Sequence, residues 1–147
     1  MIGQMKDLVF LDVETTLNHQ KIHLVVTSAN GVIKCHREPQ SLKKEIWGKI
    51  LVAHNGIAFD FPVLNRVWGL KIKLHQVLDT LVLSRLLNPT RTKHSLAAWG
   101  EDLGFRKTEF NQFDQYSEEM RQYCINDVKV LEKVYNQLLK EKESHGF

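Results

Sequence analysis

The chain has 147 residues, 43% of them hydrophobic and 25% charged, and its 20 Lys and Arg against 17 Asp and Glu give a formal net charge of +3. That length holds one domain with a single core, spanning 1-147; no apolar run reaches the ~18 residues of a membrane span, and the start of the chain lacks a secretory-signal pattern. Two cysteines, Cys35 and Cys124, exclude a disulfide framework or a zinc finger, so a soluble protein of the reducing cytoplasm is expected, with a basic excess that permits a polyanionic partner without requiring one.

The first element is an apolar strand, Leu8-Val9-Phe10-Leu11-Asp12-Val13-Glu14-Thr15-Thr16, which ends by presenting two carboxylates one residue apart. Strand side chains alternate between faces, so Asp12 and Glu14 share one. Two like charges this close are costly unless one stays protonated or a cation neutralises them. Hard oxygen ligands suit Mg²⁺ or Mn²⁺. Alone, an Asp-x-Glu is more often just an acidic turn at a sheet edge; the carboxylates further along the chain change that balance.

Ile22 to Ala29 and Val32 to His36 read as two strands joined at Asn30-Gly31, a strong hairpin signal. With the first strand they form an antiparallel meander. Ser41 is the expected cap of a short helix over Leu42 to Lys49, and Ile50 to His54 reads as a compact strand buried in mid-sheet. His54-Asn55-Gly56 breaks it, and a helix starts near Asp60, with Pro62 in its first turn and Gly69 at its end. A short strand ends at Val77-Leu78, Asp79 caps a helix through Leu87, and Asn88-Pro89 stops it. A polar loop, Thr90 to Lys93, leads to a helix over Ser95 to Leu103. Phe105 to Tyr116 has no clear period and reads as an ordered loop bearing aromatics.

Ser117 caps the last helix, with Glu118 and Glu119 placed well against its N-terminal dipole, and the helix runs to about Lys142. Met120, Cys124, Leu131, Val134 and Leu138 form its core stripe. Tyr123 and Asp127, four apart, project side by side from one flank. A carboxylate beside an apolar stripe must be satisfied by a hydrogen bond or by a shared metal. Asp60 follows the carboxyl end of a central strand, where open sheets place ligands, although taken alone it reads first as a helix cap. Meander followed by alternating helix and strand implies an α/β mixed sheet with helices on its faces.

In this order, Asp12, Glu14, Asp60, Tyr123 and Asp127 resemble the motif set of the DnaQ-like 3′–5′ exonucleases, which have a ribonuclease-H-like mixed five-stranded sheet. Tyr-x-x-x-Asp at 123 to 127 is the tyrosine, or DEDDy, variety; the histidine variety fails because Gln122 stands where its His would be. Three further stretches, His54 to Leu64, Asp79 to Leu86 and His94 to Gly104, look like the proofreading domain of phage family A DNA polymerases. The resemblance implies two Mg²⁺ ions, with Mn²⁺ as substitute, held by Asp12, Glu14, Asp60 and Asp127. Asp12 would bridge both, Glu14 and Asp127 would complete the first, and Asp60 would hold the second through water. Tyr123 would orient the attacking water, since a phenol with a pKa near 10 is a poor base at neutral pH.

Thr15, Leu17 and Asn55 are the expected substrate contacts: by resemblance Leu17 is an apolar wedge at the terminal base, though it reads equally as an exposed loop leucine, and Asn55 reaches either the substrate or the helix start. The implied partner is a single-stranded DNA 3′ end, together with a DNA polymerase encoded separately, because the family's polymerase domain has no counterpart after Lys140 to Phe147. The implied location is the cytoplasm, that of the host if the chain is phage-encoded. The alternatives are an exoribonuclease using the same carboxylates and a non-catalytic module that binds a polymerase or a DNA end; the latter would lack an acid, and none is missing. Arg85, Arg91, Lys93, Arg106 and Lys107 form either a phosphate track or a solvated face. His54 and His94 read as hydrogen-bonded structural histidines, and Trp47, Trp68 and Trp99 as core.

Overall fold

The computed structural model describes residues 7–105 and 109–146. Five strands, β1 (Leu8–Thr15), β2 (Ile22–Ala29), β3 (Val32–His36), β4 (Ile50–Ala53) and β5 (Val77–Asp79), form one sheet in the order β3-β2-β1-β4-β5. The first three strands pair antiparallel, whereas β4 pairs parallel to β1 and β5 parallel to β4. Asn30 and Gly31 both take positive φ, 52° and 79°, as the tight hairpin between β2 and β3 requires. This is the mixed five-stranded sheet the pattern implied.

Alternation along β1 decides what each face of the sheet meets. Val9, Leu11 and Val13 pack in a core with residues of α1 (Pro39–Ile46) and α2 (Asp60–Val67), among them Leu42, Ile46, Phe61 and Leu64. Leu8 and Phe10 face the other way, onto α5 (Glu118–Ser144) through Met120, Cys124, Val128 and Leu131. The expected stripe of α5 is buried along its length. Two shorter helices, α3 (Thr80–Leu87) and α4 (Leu96–Asp102), pack against it around Trp99, Val134 and Leu138. Asp79 and Ser95 cap them, each side chain accepting a backbone N–H. Among the described residues no helix is long and apolar enough to cross a membrane.

Three local expectations are corrected. The α1 helix begins at Pro39, not Leu42, because the Glu38 side chain reaches the amides of Gln40 and Ser41 at 2.7 and 3.0 Å and caps it instead of Ser41. Proline sets the first-turn φ at no cost in hydrogen bonds, and the Ser41 hydroxyl is left to meet His36 Nδ1 at 2.8 Å. The helix also stops at Ile46, three residues early, since Trp47 leaves helical geometry and Gly48 follows at φ +69°. Trp47 is consequently not core but 85% exposed, whereas Trp99 is buried and Trp68 packs partly buried against the core.

Candidate active site

Strand β1 outruns its parallel neighbour. Its ladder with β4 covers Leu8 to Phe10, whereas its ladder with β2 continues to Thr15. Asp12 and Glu14 therefore lie past the paired part of β4, at the point where the strand order reverses and open sheets leave a crevice. The pairing with β2 shifts register between Glu14 and Thr15, a bulge that ends the strand beside the two acids. Both point to the α5 side of the sheet. There the Cys124 thiol donates to Asp12, 3.4 Å from Oδ2 and 3.6 Å from the backbone oxygen.

Asp60 arrives from the other side of β4. Its helix does not use it as a cap: Phe59 holds the N-cap position without a side-chain bond, and Asp60 is the first helical residue, buried. The turn that delivers it is held by Asp79, whose carboxylate accepts from the amides of Asn55 (2.8 Å) and Ile57 (3.1 Å) while also capping α3 through Leu81 (2.9 Å). Asn55 sits at φ 64° in this turn. Gly56 is required there, because a Cβ would come within 2.6 Å of the Phe61 ring and 2.7 Å of Ala53 Cβ.

The electrostatics tie the acids into one group. Asp12 is raised from 3.8 to about 7, first by burial and then by the charge of Asp60, with the Cys124 hydrogen bond opposing. Glu14 rises further, to about 10, through burial and then the charges of Asp12 and Asp127. Burial lifts Asp60 to about 7 as well, against the pull of the Asp60 and Val13 amides. Burial and then Asp127, Glu14 and Asp12 push the Tyr123 hydroxyl above its ordinary value of 10.0, so it stays a phenol. Thus Asp127 and Tyr123 on α5, Asp12 and Glu14 on β1, and Asp60 on α2 form one electrostatic neighbourhood.

A set of close carboxylates held partly protonated by burial and mutual repulsion is a site that a divalent cation would relieve. Ligand atoms of Asp12, Glu14 and Cys124 lie within 4.8 Å of one another. Burial and the nearby acids raise the Cys124 thiol, which keeps it protonated and leaves oxygen as the donor type. That donor set fits Mg²⁺ or Mn²⁺.

The remaining candidates divide. Leu17 is 77% exposed on a turn fastened to α2, where Arg66 Nη2 donates to the His19 carbonyl at 2.7 Å and the His19 ring meets Phe59 edge-on at 5.0 Å. Thr15 is buried, and its hydroxyl donates to the Thr16 carbonyl at 2.8 Å and meets His19 Nδ1 at 3.0 Å, so that oxygen shapes the turn. Arg91 pairs with Asp102 at 2.7 Å and lies 3.9 Å above the Trp99 ring, which makes it a structural cation. Arg85 and Lys93 are exposed; Arg106 and Lys107 lie outside the described residues.

Three residues at the site were not legible as functional. Cys124 was legible only as core and Asp79 only as a cap. Phe110 was legible only as an aromatic in a loop, yet its ring packs at 5.5 Å from Tyr123, with Phe113 edge-on to Phe110 at 5.1 Å. Glu109, Phe110, Asn111 and Tyr123 line an open cavity of about 490 Å³ beside the carboxylates.

Residues 31–143 match a family model described as 3′–5′ exonuclease. The DNA-directed DNA polymerase of Escherichia phage T7 is 28% identical over 137 aligned residues, covering 65% of this chain and 20% of the polymerase. The chain thus spans a fifth of the length of that relative. Among solved structures, Brucella melitensis NrnC with bound Mg²⁺ superposes with a TM-score of 0.76 at 23% identity, covering 95% of this chain and 75% of NrnC. Trypanosoma brucei RNase D does so with a TM-score of 0.68 at 15% identity, covering 90% of this chain and 57% of RNase D. These likenesses establish a fold shared with ribonuclease-H-like exonucleases.

Proposed function

Because the chain belongs to the 3′–5′ exonuclease family of the DnaQ-like superfamily, we propose that it hydrolyses single-stranded DNA from the 3′ end and releases nucleoside 5′-monophosphates. The observation that carries this reading is the convergence of Asp12, Glu14, Asp60, Tyr123 and Asp127, from three separate elements, into one electrostatically linked group. Asp12, Glu14, Asp60 and Asp127 would hold two Mg²⁺ ions, or Mn²⁺ in their place. Bound there, the ions would lower the pKa of the attacking water and neutralise charge on the leaving 3′ oxygen.

The chain's own groups do the rest. Tyr123, a phenol at any physiological pH, accepts and donates hydrogen bonds without taking the proton, which suits it to aim the water. Phe110 and Phe113 hold its ring. Leu17, exposed on its fastened turn, is the apolar side chain assigned to wedge beneath the terminal base, and Thr15 shapes that turn. Asn55 borders the entry to α2 and contacts the substrate. The likeness to a phage polymerase supports a proofreading role beside a DNA polymerase, in the host cytoplasm.

A second reading, an exoribonuclease, is favoured by the likeness to an RNase D. The choice turns on a contact to the 2′-hydroxyl. One experiment addresses both: 5′-labelled single-stranded DNA and RNA of the same sequence, incubated with Mg²⁺ and with chelator. A ladder that shortens from the 3′ end of DNA, requires Mg²⁺ and outpaces RNA is the expected result. Faster shortening of RNA replaces the first reading with the second, and cutting in excess chelator removes both.

A further inference from the structure

The face that carries α1 and α2 presents an aromatic side chain for which the exonuclease chemistry has no use. Trp47, at the end of α1, is the most exposed large apolar side chain among the described residues. Its backbone is held by a built turn: Lys49 donates its amide to the Ile46 carbonyl at 3.1 Å, and Gly48 supplies the positive φ that sends the chain into β4. The indole forms one wall of a groove of about 530 Å³ whose other apolar walls are Ile46, Leu70 and Ile72. Lys43 and Lys71 also line it, and among the described residues no Asp or Glu does. Glu45, the one acid between 43 and 49, is turned away toward Lys34 and His36, its side chain 9% exposed.

Topology separates this groove from the carboxylates. They sit at the carboxyl end of β1, where α2 begins at Asp60. Eight helical residues, about 12 Å of rise, then carry the chain back toward the end of the sheet where Leu8 pairs with Ile50. Gly69 to Ile72 and the turn at Trp47 meet there. A molecule seated in the groove leaves the carboxylate crevice open.

We propose that this groove docks an acidic peptide segment of a partner protein, which seats one bulky apolar side chain against Trp47. A concave slot with aliphatic walls and an indole suits a buried anchor, and tryptophan at the centre of a contact is the residue type that most often dominates its energy. The lysine edge complements acidic flanks. Single-stranded nucleic acid instead stacks successive bases on several aromatic platforms, and Trp47 is the one aromatic among the described residues lining the groove. A second copy docking through the same face would set lysines against lysines.

The test uses the full chain and a fluorescein-labelled synthetic peptide of Asp and Glu around a single Phe, followed by anisotropy. Binding should weaken by about tenfold or more on Trp47→Ala or on replacing the Phe with Ser. It should weaken several-fold in the Lys43→Glu/Lys71→Glu variant and with added salt. DNA cleavage by Trp47→Ala should match the unaltered chain, which also shows that the variant is folded. Peptide binding indifferent to Trp47→Ala, or to loss of the Phe, overturns the proposal. So does quenching of Trp47 fluorescence by oligothymidylate in chelator but not by the peptide, which makes the face a nucleic-acid track. Self-association that Trp47→Ala abolishes makes it a homodimer contact and overturns the proposal equally.

Discussion

Two clusters of polar side chains lie at the carboxyl ends of the parallel strands, and they are built on opposite principles. In the first, His54 Nε2 donates to the His94 carbonyl at 2.7 Å and its Nδ1 meets the Thr80 hydroxyl at 2.8 Å; Ser84 Oγ accepts from Trp99 Nε1 at 2.8 Å and meets His94 Nδ1 at 2.6 Å. Burial lowers the pKa of His54, so the ring is neutral and its two nitrogens are matched, one donor and one acceptor. In the second cluster, Asp12, Glu14, Asp60 and Asp127 share one sign, and each makes its neighbours harder to ionise. A polar cluster that completes itself serves the fold; one that repels itself is waiting for a ligand.

Neutralising one acid should separate these roles most sharply. Asp12→Asn keeps the volume and an acceptor for the Cys124 thiol but removes a charge. DNA cleavage should fall to the level seen with excess chelator, while the metal-free protein melts at or above the temperature of the unaltered chain at pH 8. A variant that is inactive because it is unfolded in thermal denaturation would return Asp12 to a structural role. Tyr123→Phe should cost less: positioned catalytic groups contribute about 10²–10⁴-fold. The loss should fall on kcat with little change in substrate Kd, since an aimed water matters mainly in the transition state. Normal single-turnover cleavage with a lowered melting temperature would instead make the hydroxyl a structural donor.

The sequence carried these two clusters unequally. Period-two alternation placed Asp12 and Glu14 on one face before any coordinates, and four-residue spacing placed Tyr123 beside Asp127, because both periods are local properties of the backbone. What local pattern cannot carry is partnership across the chain. Asp79 was readable as a cap of α3, but nothing near residue 79 announces that the same carboxylate fastens the turn at Asn55 and Ile57. Cys124 was readable as core, and its bond to Asp12 spans 112 positions. Trp47 failed for a different reason. Its position suggested a helix that continued to Lys49, but the helix ends at Ile46, Trp47 leaves helical geometry with Gly48 at positive φ behind it, and the indole stands in solvent.

The repelling cluster should also reveal itself through pH. Asp12 and Asp60 are lifted from 3.8 to about 7 in the folded chain. Below about pH 4 both states carry the proton and nothing is lost. Between about 4 and 7 the unfolded chain ionises first, so the stability these groups provide drains away as pH rises and is gone above about 7. His54, lowered by burial, runs the other way, and the difference between the unaltered chain and Asp12→Asn cancels it. In chelator, that difference should grow in favour of Asp12→Asn from pH 4 to 7, by a few kcal/mol at most. Saturating Mg²⁺ should erase the advantage at pH 7 and do nothing at pH 4. A difference flat with pH would mean that the acids do not repel as the geometry requires.

The self-completing cluster gives the smallest effect and the cleanest contrast. Ser84→Ala deletes one buried oxygen that serves two partners, leaving Trp99 Nε1 without an acceptor and His94 Nδ1 without its neighbour. Orphaning buried polar groups costs about 1–3 kcal/mol, and for a chain of this size each kcal/mol lowers the melting temperature by about 2–4 °C. The loss should be the same with chelator and with Mg²⁺, because the bonds that Ser84 makes run to His94 and Trp99. Cleavage per folded molecule should be unchanged, since the network supports α3 and α4 and not the carboxylates. Measured in parallel, Asp12→Asn and Ser84→Ala should then move stability in opposite directions and activity in only one case. The link that would break this separation runs through the His94 carbonyl to His54, which sits one residue before Asn55. If Ser84→Ala lowers single-turnover cleavage at temperatures well below its melting point, the network also sets the position of the turn that delivers Asp60, and the two clusters form one mechanical unit.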